Sequence, residues 1–178
     1  MIQAALIRVG VLAAALFAFP PSADWLPALR DTETLSAVRL TAAEEREVLD
    51  QIERTSFDVP DSWAQEIRVR RISLGAVEGL VVRGSSRLCG GTGNCQTWIF
   101  RRVGGRWRDA FASTAPIAAS VGIGRASAST KDVFLTANTS ADTESWTRYR
   151  FDGRHYRAVE CYDVFDVGAG LGRPVPCR

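Results

Sequence analysis

Lysine and histidine are almost missing from this 178-residue chain: Lys131 is the single lysine among 22 basic side chains, and His155 is the single histidine. One histidine leaves a single imidazole to act as general base in a serine or cysteine mechanism, and too few ligands for a histidine-built zinc centre. Net charge is scarce too. A full-length value of +2 does not by itself imply a polyanion, and nucleic acid is not an expected partner. The apolar run near the start, Val9 to Phe19, has eleven residues, whereas crossing a bilayer takes about 20. No cysteine occurs before Cys89, which excludes a lipid-modified cysteine directly behind that run.

Several motifs that carry chemistry are absent as well. The glycines Gly90, Gly91 and Gly93 could turn backbone N–H groups toward an anion, but no Gly-Lys-Ser/Thr ending and no helix follow them, as a phosphate-binding P-loop requires. Cys89 and Cys95 enclose five residues, a spacing that fits neither structural zinc pairs nor the reactive Cys-x-x-Cys arrangement. No glycine pattern of a nucleophile elbow surrounds any serine. No cofactor or metal is expected.

What is present begins with an export signal. Arg8, the apolar run, the break at Pro20-Pro21 and the small residues Ser22 and Ala23 have the layout of a signal peptide over residues 1–23. The mature chain then begins near Asp24, has no stable membrane span and resides in the periplasm or outside the cell. Four cysteines, Cys89, Cys95, Cys161 and Cys177, suit two disulfides in such an oxidising compartment. Three pairings are formally possible, and the spacing favours Cys89–Cys95 with Cys161–Cys177. A six-residue separation is short, so a Cys89–Cys95 bond would mainly set local shape, with glycines letting the intervening residues fold back.

Residues 24–38 read as a polar lead-in, and 39–178 as one disulfide-bonded domain. Thr41 and Glu44 form a capping box, and Val48, Leu49, Ile52 and Phe57 make an apolar stripe at helical spacing closed by Pro60. The acidic residues Glu44, Glu45, Glu47, Asp50 and Glu53 are expected on a solvated outer face of this helix. From Ile67 onward the chain changes to short β-type runs between turn residues, with one further strand expected around Ile117 to Ile123. The resulting fold class is α+β, mainly β: one N-terminal helix followed by about seven or eight antiparallel strands in a sheet or barrel-like domain.

Two hairpins share a pattern. "FRRVGGRWR" (100–108) and "YRFDGRHYR" (149–157) both read aromatic, arginine, two residues, glycine, two residues, aromatic, arginine. A two-residue turn at Gly104-Gly105 would place Trp98, Phe100, Trp107 and Phe111 on a core face and Arg101, Arg106 and Arg108 on the other. From Arg83 to Arg108 there are six arginines and no acidic residue, so adjacent strands could present guanidinium groups to carboxylate or phosphate. Partial neutralisation by Asp109, Glu144 or Glu160 is the plainer expectation. The candidate binding residues are Arg101, Arg106 and Arg108, together with Thr92 and Asn94 at the tip of the cysteine loop. They suggest a non-enzymatic, inhibitor-like binding domain that contacts a protein or an anionic envelope component. The alternative is a small envelope hydrolase using His155 or carboxylates drawn from Asp132, Asp142, Glu144 and Asp152.

At "LCGGTGNCQTWIFRRVGGRWR" and "DVFLTANTSADTESWTRYRFDGRHYR" the chain resembles a group of small exported bacterial proteins of unknown function. They share a Cys-Gly-x-x-Gly-Asn-Cys turn leading into Trp-x-Phe and a later Tyr-Arg-Phe-Asp-Gly-type hairpin. The resemblance spans roughly residues 67–161. It implies export, a mainly β domain and a disulfide between Cys89 and Cys95, and it brings no activity.

Overall fold

A computed structural model describes residues 39–55, 67–111, 116–127, 129–167 and 171–177. The expected signal, the lead-in and the helix-closing Phe57 and Pro60 lie outside these residues. Helix α1 spans Ala42–Thr55 and begins as the capping box predicts: the Thr41 N–H donates to Glu44 Oε2 at 3.0 Å, and the Glu44 N–H donates to Thr41 Oγ1 at 3.3 Å. Ten strands follow among the described residues: β1 (Ile67–Ser73), β2 (Glu78–Gly84), β3 (Cys95–Val103), β4 (Arg106–Asp109), β5 (Ile117–Ala118), β6 (Ser120–Ser127), β7 (Thr130–Asn138), β8 (Glu144–Phe151), β9 (Tyr156–Asp166) and β10 (Leu171–Val175). They form two open antiparallel sheets rather than a barrel. The first has the order β1-β2-β3-β4, with β5 pairing the other half of the β3 edge, and the second has the order β10-β9-β8-β7-β6.

The layers follow from alternation along β3, which is buried on both faces. Trp98 and Phe100 point to α1 and join Val48, Ile52, Val69, Leu80, Val82 and Trp107 in one core. Ile99 points the other way, into a second core with Val81, Ala118, Val133, Leu135 and Tyr156 between the sheets. The first sheet is therefore the middle layer, with the helix on one side and the second sheet on the other. The two sheets also share backbone hydrogen bonds, Lys131 N–H to Leu74 O at 3.2 Å and Tyr156 N–H to Ala110 O at 2.8 Å.

Two expectations are corrected by this arrangement. Phe111 does not join the aromatic face of Trp98, Phe100 and Trp107 but packs between the sheets, because β4 stops at Asp109 and the Asp109 carboxylate accepts the Phe111 N–H at 2.9 Å, which bends the chain. The acidic side of α1 is not a simple solvated face either. Glu44 is only 12% exposed and sits against Arg71 (2.9 Å) and Arg102 (3.0 Å), while Glu47 meets Arg106 at 2.9 Å. Burial works against ionisation of Glu44, but bonds from Arg71 and from Thr41 prevail and hold its carboxyl at about 2. Arg71 and Arg102 in turn lie over the Trp107 ring at 5.8 and 5.1 Å.

Gln51 completes the attachment of the helix. Its side-chain amide donates to Trp107 O at 2.7 Å and accepts from the Asp109 N–H at 2.8 Å. Those are outward-facing backbone groups of the short edge strand β4, so the amide occupies positions that a further strand would otherwise pair with.

Candidate functional site

The two look-alike hairpins meet at one end of the molecule and, with the last turn of α1, enclose a cleft of about 530 Å³. The first contributes Arg101, Val103, Arg108 and Asp109; the turn of the second contributes Gly153, Arg154 and His155; α1 contributes Gln51 and Arg54. Phe111 forms apolar wall. Local turn chemistry sets both hairpin ends. Gly104 and Gly105, with φ of +58° and +79°, make the two-residue turn that the sequence predicts. The second turn is longer, residues 152–155, and is organised by the Asp152 carboxylate, which accepts the N–H groups of His155 and Arg154 at 2.8 Å each and the Arg157 guanidinium. These bonds hold the Asp152 carboxyl far below the usual carboxylate range.

Within the cleft, Arg101 and Arg108 are directly opposed across β3 and β4. The Arg101 guanidinium lies on the Phe151 ring, 3.6 Å from its centre, and its Nε is buried without a hydrogen-bond partner among the described residues. Arg54, Arg108 and Arg154 make no ion pair among the described residues, whereas Arg71, Arg102, Arg106, Arg148, Arg150, Arg157 and Arg173 each have a carboxylate partner. Asp109 is the single acidic lining residue. Burial raises its pKa to about 6, against the lowering effect of the Phe111 N–H bond.

The structure therefore divides the predicted arginine set. Arg101 and Arg108 open into the cleft, while the Arg106 guanidinium turns to Glu47 on the helix. Arg102, on the opposite face, is bound by Glu44, and Arg83 donates to the carbonyls of Gly93 (3.1 Å) and Ala118 (3.3 Å). Within this stretch Arg102 is thus paired with Glu44 of the helix and, at 3.7 Å, with Glu78 of β2, and Arg106 with Glu47 of the helix; of the carboxylates expected there, Glu160 pairs with Arg148 instead. Arg54 and Arg154 are cleft residues that the sequence pattern did not single out. Nothing in the local spacing relates a helix end to a turn a hundred residues later.

Both disulfides, Cys89–Cys95 and Cys161–Cys177, are present as the spacing favoured. The tip between the first pair is held to the second sheet. Asn94 Nδ2 donates to Asn138 O and Asn94 Oδ1 accepts the Asn138 N–H, both at 2.8 Å, while Asn138 Nδ2 donates to Thr92 O at 2.7 Å. The Asn94 amide is thus used inside the molecule, whereas the Thr92 side chain faces solvent. Replacing Asn94 by alanine removes two bonds and leaves two backbone groups of Asn138 unmatched, which predicts a loss of about 2 kcal/mol in urea denaturation, with faster exchange of the Asn138 amide. A loss under about 0.5 kcal/mol would show that water replaces this clamp without cost.

The hydrolase candidates are spread over the molecule. His155 lines the arginine cleft, Asp132 is buried on the second sheet beside Arg148 and Arg150, and Asp152 organises its own turn. Asp142, Glu144 and Asp166 line a separate cleft of about 310 Å³, where Glu144 Oε2 accepts the Trp146 indole N–H at 2.9 Å. Among the described residues no cluster of His, Cys, Asp and Glu could hold a metal ion, and no helix is long and apolar enough to cross a membrane. Comparison with protein-family models, with curated proteins and with solved structures gave no match to this chain.

Proposed function

We propose that this protein is an exported, non-enzymatic binding domain that engages an anionic partner, a protein surface or an envelope component, through the cleft between its two look-alike hairpins. One observation carries the reading: Arg54, Arg101, Arg108 and Arg154, from the end of the helix and from both hairpins, converge on one concavity with a single carboxyl among them, while seven arginines outside it are paired with carboxylates. A guanidinium fork is suited to carboxylate and phosphate, and the cleft volume falls within the ordinary range of ligand sites. Residence in the periplasm or outside the cell is supported by the signal layout, by the two disulfides and by the resemblance of the Cys-Gly-Gly-Thr-Gly-Asn-Cys turn to exported bacterial proteins.

Affinity capture from envelope extract tests the proposal. The oxidised protein is expected to retain a partner that elutes with salt. Retention is expected to fall at least tenfold when Arg101 and Arg108 are both replaced by alanine, and to persist when the distant Arg173 is replaced. Equal retention by all three proteins would sink it. A second reading, a small envelope hydrolase, draws on the acidic cleft of Asp142, Glu144 and Asp166. Release of soluble fragments from envelope glycan that disappears in Glu144→Gln but survives loss of the cleft arginines would favour that reading instead.

A further inference from the structure

The cross-strand pair Arg101 and Arg108 is the least expected feature of the cleft. Residues directly opposed in an antiparallel pair hold their Cβ atoms about 5 Å apart, and like charges in that position repel. Two other arginine pairs are opposed in the same way: Arg150 and Arg157 are matched by Asp132 and Asp152, and in the pair Arg68 and Arg83 the Arg83 guanidinium is held by the carbonyls of Gly93 and Ala118. Arg101 and Arg108 make no ion pair among the described residues. Arg101 is moreover set in place by the Phe151 ring at 3.6 Å, with its buried Nε lacking a partner. A guanidinium already held in this way loses little freedom when an oxyanion arrives.

We infer that Arg101 and Arg108 form the anchoring site for one oxyanion group, a carboxylate or a phosphate, and that the ligand is a compact molecule whose further anionic group meets Arg54 and Arg154. This rests on the binding reading above and specifies the chemistry that enters the cleft. Charge balance sets the valence. Four guanidinium groups against the one carboxyl of Asp109 leave an excess that a monoanion does not cancel. Shape sets the size, because a concavity of about 530 Å³ closed between two hairpin turns holds a small molecule or the end of a chain rather than a long polymer track. The apolar wall of Val103 and Phe111 accommodates a carbon skeleton between the charged ends.

Isothermal titration of the full oxidised protein at low ionic strength, using citrate, pyrophosphate and acetate as probes, tests the inference. Citrate or pyrophosphate is expected to bind one to one and at least tenfold more tightly than acetate; which of the two binds better distinguishes a carboxylate from a phosphate ligand. Arg101→Lys keeps the charge but removes the fork, and is expected to weaken the better probe at least fivefold, as is Arg108→Gln. Arg173→Gln, outside the cleft, is expected to leave it unchanged. Thermal melting of each variant separates a lost site from a lost fold. Acetate binding within threefold of both multivalent probes, or affinities indifferent to Arg101 and Arg108 in folded variants, would overturn the inference. Cleft-dependent capture of a partner without binding of either multivalent probe would refute the small-ligand chemistry and leave the binding reading standing.

Discussion

Replacing Trp98 by alanine is expected to remove about 3–5 kcal/mol of folding stability, the usual cost of deleting a large aromatic from a packed core. Trp98 is 1% exposed and stands in the middle of β3 opposite Val82, on the face that receives Val48 and Ile52 of the helix. Truncation leaves a void under the helix, and neighbouring strands pinned by the β2–β3 and β3–β4 ladders cannot close it. Domains of this size are commonly stable by 5–15 kcal/mol, so the loss is a large share of the total. Urea denaturation followed by far-ultraviolet circular dichroism measures it. A change below about 1 kcal/mol would mean that the helix layer adds little to the fold.

Asp109→Asn is expected to stabilise the protein at pH 7.5, by as much as about 3 kcal/mol, because the native state holds this carboxyl at about 6 rather than at its ordinary 3.8. With the folded value above the unfolded one, the native state retains a proton that the unfolded chain gives up between pH 4 and pH 6. Stability therefore falls as pH rises through that window and stays lower above it. Asparagine keeps an oxygen able to accept the Phe111 N–H while removing the charge, so the difference between variant and parent should shrink toward zero below pH 4. The groups lining the same cleft are Arg54, Arg101, Arg108, Arg154 and His155. The comparison is repeated in a His155→Gln background, so that no imidazole in the cleft contributes to the difference. Thermal melts of parent and variant from pH 3.5 to 8 give the answer. A variant less stable at pH 7.5, or a difference independent of pH, would contradict the burial argument.

The alternative protonation states of Asp109 also bear on the ligand. Its ionised carboxyl partly offsets the arginine field, and its protonated form leaves that field uncompensated, so a multivalent anion is expected to bind more tightly at pH 5 than at pH 7.5.

The amino-acid sequence by itself determined the elements whose causes are local. The Thr41–Glu44 cap, the turn at Gly104-Gly105, the short cysteine loop and the change from helical to alternating pattern near Ile67 are all written in neighbouring residues, and each appears where the pattern places it. The alternation of Trp98 and Phe100 against Arg101 was likewise readable, because successive side chains on a strand point to opposite faces. Only the tertiary structure decided what covers each face. The carboxylates that bind Arg102 and Arg106 lie on a helix more than fifty residues earlier, and long side chains choose partners by distance in space rather than in sequence. β3 is buried on both faces, so its pattern could not say which side meets the helix and which the second sheet. The cleft itself arises where Arg54, the Arg101–Arg108 pair and Arg154 are carried together by pairing across two sheets, a register that no local run of residues encodes.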